Sequence, residues 1–152
     1  MIITRFENAL SMVIALTAYI PMIMDTGGNS GSQASVTVIR GLSLNEIRFS
    51  DLGRVVWKEI RVSVLCGLSL AIVNFGKLML FDKVGTTIAL TVSLTLVVTV
   101  AVAKLIGCLL PMVAKQLKFD PAVMASPLIT TIVDALSLLT YFGMATALLP
   151  AV

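Results

Sequence analysis

The sequence predicts an all-α membrane protein, a polytopic bundle with four helical spans. Its 152 residues are 58% hydrophobic and 12% charged, with a mean hydropathy of +1.03, whereas soluble domains hold about 45–50% apolar and about 25% charged residues. Four stretches reach the roughly 20 residues that a helix needs to cross a hydrocarbon core about 30 Å thick. Little chain remains outside them, so we expect one transmembrane domain over residues 1–152.

The four spans are placed by their apolar runs, at residues 2–24, 55–80, 84–114 and 121–150. The first begins beside Arg5 as a secretory signal does, but a signal peptide precedes a soluble mature protein, and here three more spans follow. Residues 40–61 mix apolar and charged side chains around Trp57, which predicts an amphipathic cytoplasmic connector at the membrane surface. Pro121 suits the first turn of the fourth helix, and Asp120 suits its N-cap.

Basic residues are divided unevenly between the two sides of these spans. The connections between spans one and two and between spans three and four hold seven lysines and arginines, and the opposite side holds three. Because cytoplasmic connections carry the basic excess, we expect both termini outside the cell. The net charge of +3 fits this bias and requires no nucleic-acid partner. Lys104, within span three, is expected to extend toward the cytoplasmic interface.

The chain has no histidine and two cysteines, Cys66 and Cys108, both inside apolar runs. The missing histidine removes the commonest ligand for zinc, copper and nickel. Cysteines in such runs are expected to be small buried hydrophobes rather than a disulfide or metal site. The serines and threonines of span three are expected to pack helices together and not to line a pore.

Asp134 lies within the fourth predicted span, 13 residues after Pro121, or about 20 Å along a helix. An ionised aspartate costs roughly 2.5–3.5 kcal/mol at the centre of a membrane helix. Such residues therefore face a bundle interior or water and mark ion pathways. Thr130 and Thr131 precede Asp134 by one turn on the same side of the helix. The alternative interpretation is a protonated Asp134 that bonds a neighbouring helix.

Residues 25–35, after the first predicted span, combine three glycines with several hydrogen-bonding side chains. Irregular backbone at membrane depth is tolerated only where protein or water covers it. This segment is therefore either a polar part of an ion pathway or the start of a flexible connection. Its oxygen donors and the Asp134 carboxylate suit Mg²⁺ and Ca²⁺. One aspartate forms no complete cage, but two copies in a symmetric dimer would hold a hydrated cation on an axial pore.

Two motifs together resemble the MgtE family of magnesium channels and transporters. The first is PMIMDTGGNSGSQ at residues 21–33, followed by IRGL at residues 39–42. The second runs from DPA at residues 120–122 to TTIVD at residues 130–134. They occur in the family's order and separation, and the similarity covers essentially the whole chain.

The resemblance implies a homodimer in the plasma membrane, with a pore on its two-fold axis that passes hydrated Mg²⁺ into the cytoplasm. It implies that Asp134 and Asp120 bind the metal, with Asp120 near the cytoplasmic mouth. The implied pore lining consists of Asp25, Gly27, Gly28, Asn29, Gly31, Gln33, Thr130 and Thr131. The partners are then a second copy, the lipid bilayer and divalent ions, with Mg²⁺ both transported and bound and no enzymatic activity.

The sequence departs from the family's pattern in two respects. Members usually have five membrane helices and cytoplasmic regulatory domains, whereas this chain begins where the second helix is expected and shows no such domains. We therefore expect a channel-domain fragment or a divergent short member. The alternative functions are an ion-coupled secondary transporter, a non-transporting assembly subunit, and an intramembrane aspartyl protease with Asp25 and Asp134 as its dyad. The characteristic GLGD sequence of such proteases is absent.

Overall fold

Four long α-helices dominate the computed structural model, which describes residues 14–124 and 127–149. The helices are α1 (Ile20–Ser43), α2 (Leu52–Leu80), α3 (Thr86–Gln116) and α4 (Pro127–Leu148). Two 3-10 turns, Phe49–Asp51 and Pro121–Met124, precede α2 and α4. The described residues contain no strand, so the predicted all-α fold is confirmed. The pore on a homodimer axis stays a prediction.

Among the described residues, three helical segments are long and apolar enough to cross a membrane: Phe49–Leu80, Thr86–Gln116 and Pro127–Leu148. They coincide with the second, third and fourth predicted spans, which confirms a polytopic membrane protein. Most of the first predicted span, residues 2–13, lies outside the described residues. Of its remainder, residues 14–17 are helical and the rest leads into α1.

The first predicted span ends at about Met24, whereas the helix that contains Met24 continues beyond it. α1 continues through the glycine-rich segment without interruption and ends at Ser43. Each glycine costs a helix about 1 kcal/mol relative to alanine, but Gly27, Gly28 and Gly31 are buried against α3 and α4. Close packing of small residues therefore outweighs local propensity. The connector predicted over residues 40–61 is divided between the end of α1, the first 3-10 turn and the start of α2.

The α-helix predicted from Pro121 begins instead at Pro127. Asp120 does cap a turn, because its Oδ1 accepts a hydrogen bond from the Ala122 amide at 2.9 Å, but that turn is the 3-10 turn. Pro127 suits the first turn of a helix, because the fixed φ of a proline fits that position. Asp134 therefore lies about 10 Å along α4 and not about 20 Å.

α3 lies at the centre of the bundle and packs against the other three helices. Its contact with α1 is at backbone distance, because a Cβ added to Gly107 would overlap the Gly31 carbonyl oxygen. The hydroxyls of Thr91 and Thr95 donate to carbonyl oxygens one turn earlier in α3, which agrees with a packing role for the hydroxyl residues of this helix.

The turn between α2 and α3 is fastened by Asp82. Its Oδ2 accepts hydrogen bonds from Lys77 Nζ at 2.9 Å and from the Tyr19 hydroxyl at 3.1 Å. The hydrogen bond from Lys77 lowers the pKa of the Asp82 carboxyl below its usual value. Tyr141 of α4 donates to the Leu16 carbonyl at 2.8 Å. Side chains of α4 and of the turn after α2 therefore fix the chain just before α1.

Candidate cation site

A polar cavity of about 230 Å³ lies between α1 and α4. From α1 it is lined by Met24, Asp25, Gly28, Asn29 and Ser32, and from α4 by Thr130 and Asp134. These spacings of three and four residues place each set on one side of its helix. The uninterrupted course of α1 therefore turns the glycine-rich segment into one wall of a site.

Gly28 brings the two walls of this cavity together. A Cβ added there would lie 3.2 Å from Thr130 Cγ2 and 3.4 Å from Asp134 Oδ1. The carboxylate of Asp134 thus lies directly over the backbone of α1. One turn further along, the hydroxyls of Ser32 and Thr130 form a hydrogen bond of 3.4 Å across the two helices.

The cavity is negatively charged. Asp25 is exposed and Asp134 is partly buried, and within residues 14–124 and 127–149 neither forms an ion pair with a basic side chain. The described lysines and arginines that do form pairs contact other acids, namely Asp51, Glu59 and Asp82. Two uncompensated carboxylates beside an amide and two hydroxyls form a set of oxygen donors that suits a hard cation.

One copy of the chain supplies too few ligands for a bare metal ion. The described residues hold no group of three or more histidine, cysteine, aspartate or glutamate side chains that would bind a metal. Mg²⁺ loses its waters reluctantly and is commonly held through one or two carboxylates while it keeps several waters. The donors of this cavity suit a hydrated ion.

Four of the predicted pore-lining residues lie elsewhere. Gly27 and Gly31 face the bundle interior, where a Cβ at Gly27 would lie 2.5 Å from Ser137 Oγ and one at Gly31 would lie 3.1 Å from the Ala103 carbonyl oxygen. Thr131 is exposed and donates its hydroxyl to the Pro127 carbonyl at 2.9 Å. Gln33 lines a neighbouring groove and not the cavity with Asp134. The others are brought together with Asp134: Asp25, Gly28, Asn29 and Thr130.

Asp120, the second predicted metal ligand, is not brought to Asp134. It is exposed and lines a separate cavity of about 470 Å³ beside Lys115 and Lys118. The 3-10 turn after Asp120 separates it from α4. The assignment of Asp120 to the cytoplasmic mouth stays a prediction.

Sequence reasoning missed a second polar groove, of about 530 Å³, between α1 and α2. Lys104 lines it, so the expectation that this side chain extends to the interface is wrong: Lys104 is 6% exposed and its Nζ lies 3.5 Å from Glu59 Oε2. The available signal was the four-residue spacing of Val55, Glu59 and Ser63, which places Glu59 on the buried side of α2.

The expectation for the cysteines holds for Cys108, which is buried, but Cys66 is exposed in this groove, and both are free.

Comparison with known proteins gives a consistent result. The model of the MgtE family, described as divalent cation transporter, matches residues 20–144. The chain is similar to magnesium transporters MgtE from Bacillus subtilis (37% identical), Thermus thermophilus (38%) and Enterococcus faecalis (32%). These alignments cover 96%, 99% and 95% of this chain but 32%, 33% and 32% of the relatives. The chain therefore spans about a third of the length of the curated relatives it matches.

Proposed function

The chain belongs to the MgtE family of divalent cation transporters, and from this premise we propose that it conducts hydrated Mg²⁺ across the membrane into the cytoplasm, with Asp134 as the binding site. Transporters of this family sit in the plasma membrane, and three apolar helices in the part of the chain that the structure describes suit that location. Mg²⁺ is then substrate and passing ligand rather than a resident cofactor.

The observation that carries the proposal is the position of Asp134 over Gly28, in a cavity that also contains Asp25. A charged carboxylate on a membrane helix is costly. Among the described residues no basic side chain pairs with Asp25 or Asp134, so their negative charge is available for a cation. The cavity, at about 230 Å³, has room for several waters at about 30 Å³ each. A hydrated ion can therefore bind through its own water molecules to the carboxylates, the Asn29 amide and the hydroxyls.

A second copy of the chain would complete the site. Asp25, Asn29 and Gln33 are exposed on α1, at spacings that place them on one side of the helix. Polar side chains of membrane helices face a protein interior or water rather than lipid. A symmetric partner over this side would cover them and bring a second Asp134 to the two-fold axis, so that two carboxylates hold one hydrated ion.

An ion-coupled transporter is the second candidate, and the two carboxylates in one cavity favour it, because neighbouring carboxylates readily exchange a proton. A current that reverses at the Mg²⁺ equilibrium potential at every pH gradient indicates a channel. A reversal that moves with the proton gradient indicates coupling. An aspartyl protease also needs two carboxylates, but membership in a transporter family supports ion transport instead.

The test is Mg²⁺ flux into proteoliposomes. We expect Asp134→Ala to reduce the flux at least tenfold, since a lost charge-assisted contact in a site of this kind costs about 1.5–3 kcal/mol. Asp134→Asn is nearly as damaging if charge carries the effect and mild if a hydrogen bond does. Asp51→Asn, in the 3-10 turn outside the cavity, is the matched control and keeps wild-type flux. Unchanged flux in Asp134→Ala would sink the proposal.

A further inference from the structure

A buried ion pair joins α2 to α3. Glu59 and Lys104 have side chains that are 6% and 8% exposed, and Nζ lies 3.5 Å from Oε2. The other ion pairs among the described residues, Arg54–Asp51 and Lys77–Asp82, lie at the surface. Two charges that leave water lose solvation that their mutual attraction only partly returns. Fold stability alone is therefore a weak reason for this pair.

The two partners differ in what they face. Lys104 lines the polar groove between α1 and α2, whereas Glu59 does not. The wall of that groove includes Asp25 and Asn29, and these two residues also line the cavity that contains Asp134. Lys104 therefore lines a groove that shares two wall residues, Asp25 and Asn29, with the proposed path of the cation.

We propose that Glu59 neutralises Lys104 and so keeps a fixed positive charge away from the cation pathway. This inference rests on the proposed function and adds a positioning residue to it. Coulomb repulsion is proportional to the product of the charges. Without its partner, the Lys104 ammonium would therefore repel a divalent ion twice as strongly as a monovalent one. The factor by which it lowers the occupancy of the pathway by a divalent ion is then the square of the factor for a monovalent ion.

The competing explanation is that the pair only holds α2 against α3. Single substitutions separate the two explanations, because Glu59→Gln leaves the ammonium unpaired whereas Lys104→Met removes it. A purely structural pair predicts that both substitutions reduce Mg²⁺ flux alike. Charge neutralisation predicts a loss in Glu59→Gln and not in Lys104→Met, with flux restored in the double variant Glu59→Gln/Lys104→Met.

Cys66 provides a probe of this charge that does not depend on transport. Its thiol is exposed on the wall of the groove, whereas Cys108 is buried and serves as the internal unreactive control. The full chain in liposomes is treated with a cationic and an anionic methanethiosulfonate, and mass spectrometry gives the rate of labelling at each thiol. In Glu59→Gln we expect the anionic-to-cationic rate ratio at Cys66 to rise about tenfold, the lower end of electrostatic focusing in clefts, and to return in the double variant.

Flux of Mg²⁺ and of Na⁺ is then measured for wild type, Glu59→Gln, Lys104→Met and the double variant. We expect Glu59→Gln to reduce Mg²⁺ flux about tenfold and Na⁺ flux about threefold, with Lys104→Met retaining at least half of both.

An unchanged labelling ratio, or equal losses in the two single variants, would overturn the inference while leaving the proposed function intact. If Glu59→Gln does not fold, a full loss of Mg²⁺ flux in folded Lys104→Met overturns it instead. Wild-type protein without Mg²⁺ flux overturns the proposed function and this inference together.

Discussion

The two sides of α1 use the same stretch of sequence for opposite purposes. The inner side places Gly27 and Gly31 against α3 and α4 at distances that leave no room for a methyl group. The outer side exposes Asp25, Asn29 and Gln33. A polar, glycine-rich segment is therefore not necessarily a flexible connection. It can be a helix whose glycines allow close packing while its polar side chains face a site.

The largest effect is expected where the inner side meets α3. Gly107→Ala places a Cβ onto the Gly31 carbonyl oxygen, a backbone atom that cannot rotate away. Overpacking of this kind costs about 3 kcal/mol, measured as the free energy of unfolding in detergent or mixed micelles. Gly76→Ala, where a Cβ meets nothing within 4 Å, is the control and gains up to about 1 kcal/mol from helix propensity. Equal effects of the two substitutions would contradict the tight α1–α3 contact.

Gly28 lies between the two sides of α1, where it is buried but lines the cavity with Asp134. In Gly28→Ala the new Cβ meets only side-chain atoms, Thr130 Cγ2 and Asp134 Oδ1. The free energy of unfolding then changes by less than about 1 kcal/mol, because the cost of moving these two side chains is offset by the better helix propensity of alanine. The methyl group displaces water from Asp134, so we expect Mg²⁺ flux to fall roughly tenfold.

Flux and unfolding measured together decide between the two assignments of Gly28. A loss of stability like that of Gly107→Ala, with flux lost in proportion to folded protein, would place Gly28 on the packing side. A loss of flux at nearly wild-type stability places it in the site.

The sequence predicted correctly the features that a short stretch of residues indicates by itself. The apolar runs of α2, α3 and α4 give helices by composition alone, and Asp134 stands out because charge inside such a run is rare. The continuity of α1 depends on surfaces of α3 and α4 that are distant in sequence, so local glycine propensity gives the wrong boundary. Lys104 has no partner within its own helix, and its pairing with Glu59 appears only when α2 packs against α3.

The candidate cation site likewise has a part that the sequence predicted and a part that it did not. Asp25, Gly28 and Asn29 were predicted to lie near Asp134 through the family resemblance, and the side of α1 that carries them follows from helical spacing once the helix is known. Asp120 was assigned to the metal by the same resemblance. The structure places Asp120 in a separate cavity, before the 3-10 turn Pro121–Met124, and no spacing rule predicts from the sequence that the long helix begins only at Pro127.

The smallest expected effect concerns how α1 is held in place, since both of its sides depend on one helix orientation. Asp82 accepts a hydrogen bond from Tyr19, next to the start of α1, and from Lys77 of α2. Because the pKa of Asp82 is lowered in the folded protein, its contribution to stability is present above the unfolded value near 3.8 and is lost as the pH falls through the lower folded value. Asp82→Asn removes this contribution at neutral pH.

We therefore compare thermal unfolding midpoints of wild type and Asp82→Asn between pH 7 and pH 3. The difference is expected to be small at pH 7, since exposed ion pairs contribute little, and to shrink toward zero at the acidic end. Added salt reduces it further by screening. The matched control is Asp51→Asn, whose ion pair with Arg54 is long at 4.0 Å and lies away from the start of α1. A midpoint difference for Asp82→Asn that grows as the pH falls would mean that the carboxylate opposes this arrangement of α1 instead of fastening it.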